Sequence, residues 1–193
     1  MAEWLCSGLQ LRVHRFDSVL SLHDMKILLT GSSGFIGFHL AKKLLELNHQ
    51  VYGIDNHNDY YNVALKEVRL SLLNYKNFYF CNSGIADLKL SDKFDVAINF
   101  AAQAGIRVSK EQEKFFQEYN VLGFKKFCDF CKNNRIDKVI YASSSSVYSD
   151  ELSEPFNEIS TPLKPKSLYG KSKLENQTLG KSNFENQTLK IKL

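Results

Sequence analysis

Lys26 to Leu47 reads KILLTGSSGFIGFHLAKKLLEL, and its pattern changes partway along. KILLT is a short apolar run, and Gly31-Ser32-Ser33-Gly34-Phe35-Ile36-Gly37 follows with a glycine at every third position. From Phe38 onward apolar residues recur at helical spacing. A strand, a glycine-rich turn and a helix in that order make a dinucleotide-binding arrangement. Glycine lets backbone approach a diphosphate, and the helix N-terminus stabilises its negative charge. Gly31, Gly34 and Gly37 are the candidate contacts. The spacing is G-x-x-G-x-x-G rather than G-x-G-x-x-G, and a tight strand-to-helix turn wants glycine for steric reasons alone. The surrounding sequence must carry the rest.

QVYGID (50–55) reads as a second strand and ends on Asp55, 21 residues after Gly34. There a carboxylate accepts hydrogen bonds from the adenosine ribose hydroxyls and repels a 2′-phosphate, so NAD is expected over NADP. Beyond it, a helix over 63–74, strands over 78–81, 94–100 and 136–143, and a long helix over 111–134 alternate along the chain. This alternation predicts an α/β fold: a Rossmann-like doubly wound parallel sheet with helices on both faces. Pro155, Pro162 and Pro165 all fall between the last of these strands and the stretch YGKSK (169–173), which predicts a long, stiffened loop.

Composition narrows the function classes. At 193 residues with 44% hydrophobic content, the chain fits one domain with a sizeable core. A formal charge of +4, from 25 basic and 21 acidic residues, argues against a nucleic-acid partner. No apolar stretch has the length of a membrane span. Cys128 and Cys131 form a lone C-x-x-C in a helical stretch, half the ligand set of a zinc site, so no metal is expected and both thiols are read as core. The cysteine usage suits a reducing, cytoplasmic compartment. Residues 1–24 interrupt their apolar positions with Arg12, His14, Arg15 and Asp17, unlike a secretory leader, and are read as an extension ahead of the fold.

Ser144, Tyr169 and Lys173 carry the candidate chemistry. A tyrosine titrates near pH 10, too high for a base at neutral pH. A lysine one helical turn away, on the same face, favours the phenolate by its charge. A shift of about 3 units needs roughly 4 kcal/mol, which an ammonium and a positive nicotinamide ring supply together in a partly dry site. Ser144, in the serine-rich strand end YASSSSVYS (141–149), is placed to hold a substrate oxygen in line.

TGSSGFIGFHL, GIDNHNDYYNVALKEVRL, NFAAQAGIRVS, YASSSSVY and PLKPKSLYGKSK occur in this order over 25–179. Together they resemble the extended short-chain dehydrogenase/reductase superfamily, its NAD-dependent epimerase/dehydratase family, and within that the UDP-glucuronate 4-epimerases. The resemblance implies NAD as cofactor and a UDP-sugar, UDP-glucuronate or UDP-galacturonate, as substrate. It implies that Tyr169 takes the proton of the sugar 4-hydroxyl while C4 is oxidised, and that the 4-keto sugar turns over and is reduced on its other face. Lys173 would also hold the nicotinamide ribose, and Ser144 the reacting oxygen, with Ser145 and Arg107 toward the substrate. Phe35 and Ile36 would join the glycines along the diphosphate; Asn56, Ile85, Ala101, Ala102 and Asn120 would lie near the cofactor. A homodimer is compatible with the family. Related dehydratases and decarboxylases carry an acidic residue at or beside the position of Ser146; Ser145 and Ser146 offer none, which favours an epimerase. A dehydratase and a non-catalytic dinucleotide-binding remnant stay open as alternatives.

Three features depart from the family pattern. Gly84-Ile85 stands where Asp-Ile is usual, so an adenine contact is expected to be lost, and Ser149 stands where a glycine follows Val-Tyr. The third is at the end: GKSKLENQTL (170–179) is followed by the near copy GKSNFENQTL (180–189), identical at eight of ten positions. The expected organisation is an NAD-binding domain over 25–179 and a tail over 180–193. The last strands and the substrate domain of the family are expected to be missing, with LKIKL (189–193) alternating like a strand.

Overall fold

The computed structural model describes residues 24–90, 92–105, 113–148, 163–184 and 188–192. Apart from Asp24, the N-terminal extension lies outside the described residues, as do Arg107 and Ser149.

The chain lays down β1 (Lys26–Thr30), α1 (Phe35–Glu46), β2 (Gln50–Asp55), α2 (Val63–Ser71), β3 (Phe78–Asn82) and β4 (Val96–Asn99). After these come α3 (Glu113–Phe115), a π-helical segment Phe116–Leu122 that leads directly into α4 (Gly123–Asn133), β5 (Lys138–Ser143), α5 (Leu168–Phe184) and β6 (Thr188–Lys192). The strands form one sheet in the order β3-β2-β1-β4-β5-β6, and every pairing is parallel. The order reverses between β1 and β4, so the crevice of this doubly wound sheet opens at their carboxyl ends, where Gly31 and Ala101 emerge.

Two cores lie on opposite faces, as period-two alternation in a strand requires. Ile27 and Leu29 of β1 join Phe38, Ala41, Leu44 and Leu45 of α1 on one side. Leu28 joins Phe124, Phe127, Cys128 and Cys131 of α4 on the other. Both cysteines are fully buried, and burial pushes the Cys128 thiol up to about 12 and raises Cys131 as well, so these thiols pack as small apolar groups.

The structure departs from the sequence reading in two places. The long helix is interrupted by a π turn: the Gly123 N–H donates to the carbonyl of Glu118, five residues back. At the end, α5 does not stop with the first copy of the repeat. It runs through residue 179 to Phe184 and buries Gly180 and Phe184, while the strand reading of LKIKL agrees with β6, which pairs in parallel with β5 over five positions, Val139 with Thr188 through Ser143 with Lys192. Part of what reads as a tail is therefore laid on the sheet. Repetition of the sequence conceals this, because Gly170 lies against Ser146 and Pro165 whereas its counterpart Gly180 lies against Tyr141.

Candidate active site

The turn after β1 is fixed by steric necessity. Gly31 has φ +74°, and a Cβ there would lie 2.7 Å from the backbone nitrogen of Ala101. A Cβ on Gly37 would collide with the carbonyl oxygen of Gly31. The turn is also tied to β2, since the N–H groups of Gly31 and Ser32 both donate to the Ile54 carbonyl, at 2.7 and 3.3 Å. Bare backbone thus faces the crevice at the N-terminus of α1, a cradle suited to a diphosphate.

Asp55, at the end of β2, is buried and held from three sides. Its carboxylate accepts from the Ser33 N–H at 3.2 Å and from the His57 N–H at 3.0 Å, and Lys66 Nζ lies 3.3 Å away. The same ammonium donates to Asn58 Oδ1 at 3.0 Å. Lys66 changes the reading of Asp55. A carboxylate already paired with an ammonium repels a 2′-phosphate less than an isolated one, so the discrimination expected from Asp55 alone is weakened.

At the other end of the crevice, α5 presents Tyr169 and Lys173 one turn apart. Lys173 is buried, donates from Nζ to the Ala142 carbonyl at 3.1 Å, and lies 5.6 Å from the centre of the Tyr169 ring. Desolvation pushes its ammonium down to about 8. The Tyr169 hydroxyl is raised above its ordinary 10: burial outweighs the hydrogen bond with Ser144, which favours the phenolate, and the nearby Tyr61 adds to the rise. The lowering expected from Lys173 and a positive nicotinamide ring together is therefore not a property of the protein alone. In the protein alone desolvation wins, and the phenol keeps its proton.

One cavity of about 1100 Å³ joins these two ends. Of the residues singled out in the sequence, it gathers Gly31, Gly34, Phe35, Ile36, Gly37, Asp55, Asn56, Ile85, Ala101, Ala102, Tyr169 and Lys173. Ser144 stands behind Tyr169 as its hydrogen-bond partner, nearly buried, and its Oγ accepts from the Ser146 N–H at 3.2 Å. Ser145 is exposed on the adjoining turn Ser145–Val147.

Asn120 is not on the cavity wall. It is buried, accepts from the Gln103 N–H at 2.6 Å, and donates to the Gln103 carbonyl at 3.0 Å and to Ser172 Oγ at 3.1 Å. It clamps the loop after β4 to the helix that carries Tyr169, and the π turn aims it there. The cavity also includes Asn58, Tyr61, Lys66, Arg69 and Asp87, which sequence reasoning passed over. The one available signal was Lys66 and Arg69 at helical spacing inside GIDNHNDYYNVALKEVRL.

A family model described as "NAD dependent epimerase/dehydratase family" matches residues 27–191. The chain belongs to this family. Among its curated relatives, Protein CapI of Staphylococcus aureus is 40% identical over 161 residues, covering 80% of this chain and 48% of that protein. UDP-glucuronate 4-epimerase 2 of Arabidopsis thaliana is 33% identical over 178 residues, covering 89% and 41%. The crystal structure of UDP-glucuronic acid 4-epimerase from Bacillus cereus in complex with UDP-glucuronic acid and NAD aligns with a TM-score of 0.78 at 32% identity, over 87% of this chain and 56% of that one. The chain spans about half the length of the curated relatives it matches. The family's cofactor fits the residues present: a cradle that side chains would fill, a buried carboxylate beyond it, and a tyrosine–lysine pair at the far end of one cavity.

Proposed function

We propose that this chain is the cofactor-binding and proton-transfer half of an NAD-dependent UDP-sugar 4-epimerase of the UDP-glucuronate type. The observation that carries the proposal is the single cavity running from the Gly31–Gly37 turn to Tyr169 and Lys173. When bound, NAD⁺ supplies the oxidising and reducing power at the sugar carbon. The chain's own residues do the rest. Tyr169 moves the proton of the 4-hydroxyl, Lys173 stabilises the phenolate, and Ser144 steadies the phenol through their hydrogen bond. Turning over a keto sugar demands room and a grip at a distance from the reacting carbon, and the UDP moiety provides the handle.

The relatives' greater length supports a division of labour in which the grip on UDP comes largely from sequence outside these 193 residues. Such positioning contributes roughly 7–11 kcal/mol in well-oriented reactions. Losing about 5.5 kcal/mol of it slows turnover some 10⁴-fold, so the expected behaviour of the 193-residue chain is NAD⁺ binding without measurable epimerisation. The test combines calorimetry with NAD⁺ and incubation with NAD⁺ plus UDP-glucuronic acid, followed by chromatography for UDP-galacturonic acid. Absence of NAD⁺ binding refutes the proposal. Rapid turnover that is lost in Tyr169→Phe supports the epimerase and refutes the division of labour.

A further inference from the structure

Two cations on α2 face the cradle, and only one of them has a carboxylate partner among the described residues. Lys66 and Arg69 lie three residues apart on one face of the helix, and both line the large cavity. Lys66 is accounted for by Asp55 and Asn58. Arg69 is not. Among the described residues it has no carboxylate partner; its one hydrogen bond is a long one, 3.4 Å, from Nη1 to the Ser33 carbonyl. Its guanidinium lies 5.8 Å from the centre of the Phe35 ring, and Phe35 is two-thirds exposed at the first position of α1. Most of its five donors are therefore uncommitted beside the site where a diphosphate would rest.

The N-terminus of α1 invites a partner of this kind. Gly34 caps it without a side-chain hydrogen bond, and its first turn holds no acidic residue. A helix end offers about half a positive charge, whereas a diphosphate brings about two negative ones. Asp55 and Lys66 pair with each other, whereas Arg69, at 3.4 Å from the Ser33 carbonyl of the turn, stands beside the imbalance with no carboxylate partner among the described residues. A planar guanidinium matches paired phosphate oxygens in geometry as well as sign.

We propose that α2 is the second jaw of the dinucleotide site: Arg69 closes on the diphosphate against the N-terminus of α1, and Lys66 fixes the Asp55 carboxylate for the adenosine ribose. This rests on the cofactor reading above and adds to it the residues that set affinity. The clamp has distinct signatures for its two members. Arg69 responds to ligands that carry a diphosphate and ignores those that lack one. Lys66 acts through Asp55 and affects any ligand with the adenosine ribose.

The experiment is a titration of the 193-residue chain with NAD⁺, ADP and adenosine, by calorimetry for the first two and ligand-observed NMR for the third. Arg69→Gln is expected to weaken NAD⁺ and ADP alike by about 10- to 100-fold, the range for a charge-assisted contact, and to leave adenosine unchanged. Arg69→Lys, which keeps the charge without the fork, is expected to fall between. The salt dependence of NAD⁺ binding flattens in Arg69→Gln. Lys66→Met weakens adenosine and NAD⁺ together. ADP bound as tightly by Arg69→Gln as by the wild-type chain overturns the clamp, and so does a matching loss of adenosine in that variant. A wild-type chain that binds neither NAD⁺ nor ADP overturns the cofactor reading itself, a result distinguishable from failure of the clamp alone.

Discussion

Replacing Gly180 by alanine separates two accounts of the repeated segment by the sign of the stability change. If the second copy were a solvated tail or a loose helix end, Gly180→Ala would be neutral or would stabilise the chain by about 1 kcal/mol through helix propensity. In the structure Gly180 is buried in α5 against the end of the Tyr141 ring. A methyl group there would come 2.6 Å from the Tyr141 hydroxyl and 2.7 Å from Cε1 and Cζ. The ring cannot swing aside, because it is only 2% exposed and packs against Phe124 with centroids 5.0 Å apart. Burial also pushes its phenol up to about 12. Overpacking a core costs about 1–3 kcal/mol, and a contact this short with the hydroxyl and two ring atoms of Tyr141 belongs in the upper part of that range. Set against the propensity gain, the net expectation is a loss of about 1–2 kcal/mol. Urea unfolding should show the midpoint falling at unchanged slope. Combining Gly180→Ala with Tyr141→Leu should recover most of the clash, a coupling of about 1–3 kcal/mol in the double-mutant cycle. A higher midpoint in Gly180→Ala would refute the packing of the second copy on the sheet.

Two further outcomes follow from the buried polar groups. Lys173 titrates near 8 in the fold against 10.5 when free, so between these values the unfolded chain binds the extra proton and stability rises with pH. The stability of the wild-type chain relative to Lys173→Met should therefore climb by a few kcal/mol from pH 8 toward 10.5, and a flat difference would contradict it; Tyr169, raised above 10, works in the opposite sense only at the upper end. Asn120→Ala strands the Gln103 N–H and carbonyl and removes the tie to Ser172, so unfolding should show a loss of about 2–4 kcal/mol and calorimetry a weaker grip on NAD⁺; wild-type stability would remove Asn120 from its clamping role.

The strand–turn–helix at 26–47 was legible because its periodicity changes from two to 3.6 across a run of glycines that the backbone needs sterically. Tyr169 and Lys173 were legible for a similar local reason, since a spacing of four on a helix fixes their common face. What lay beyond reading depends on contacts between distant segments. Lys66 meets Asp55 across 11 positions, and Asn120 meets Ser172 across 52. No local pattern marks either encounter. The direction of the Tyr169 shift depends likewise on how tightly its surroundings exclude water, which a Tyr-x-x-x-Lys spacing does not encode. The repeat misled for a physical reason too: two nearly identical decamers read as one element and its echo, although helix packing is decided by what each turn faces.

If Tyr169 and Lys173 face the nicotinamide end of NAD⁺ bound in this cavity, an ultraviolet titration of the phenolate with and without NAD⁺ should register it. The chain has nine tyrosines, so the Tyr169 signal is the difference between the wild-type chain and Tyr169→Phe. In the protein alone that difference should emerge only above pH 10, where burial holds the phenol protonated. With NAD⁺ bound, the positive ring beside the phenol should bring the difference to lower pH. A Tyr169 titration that NAD⁺ leaves unmoved, at concentrations where calorimetry shows the site filled, would contradict the account.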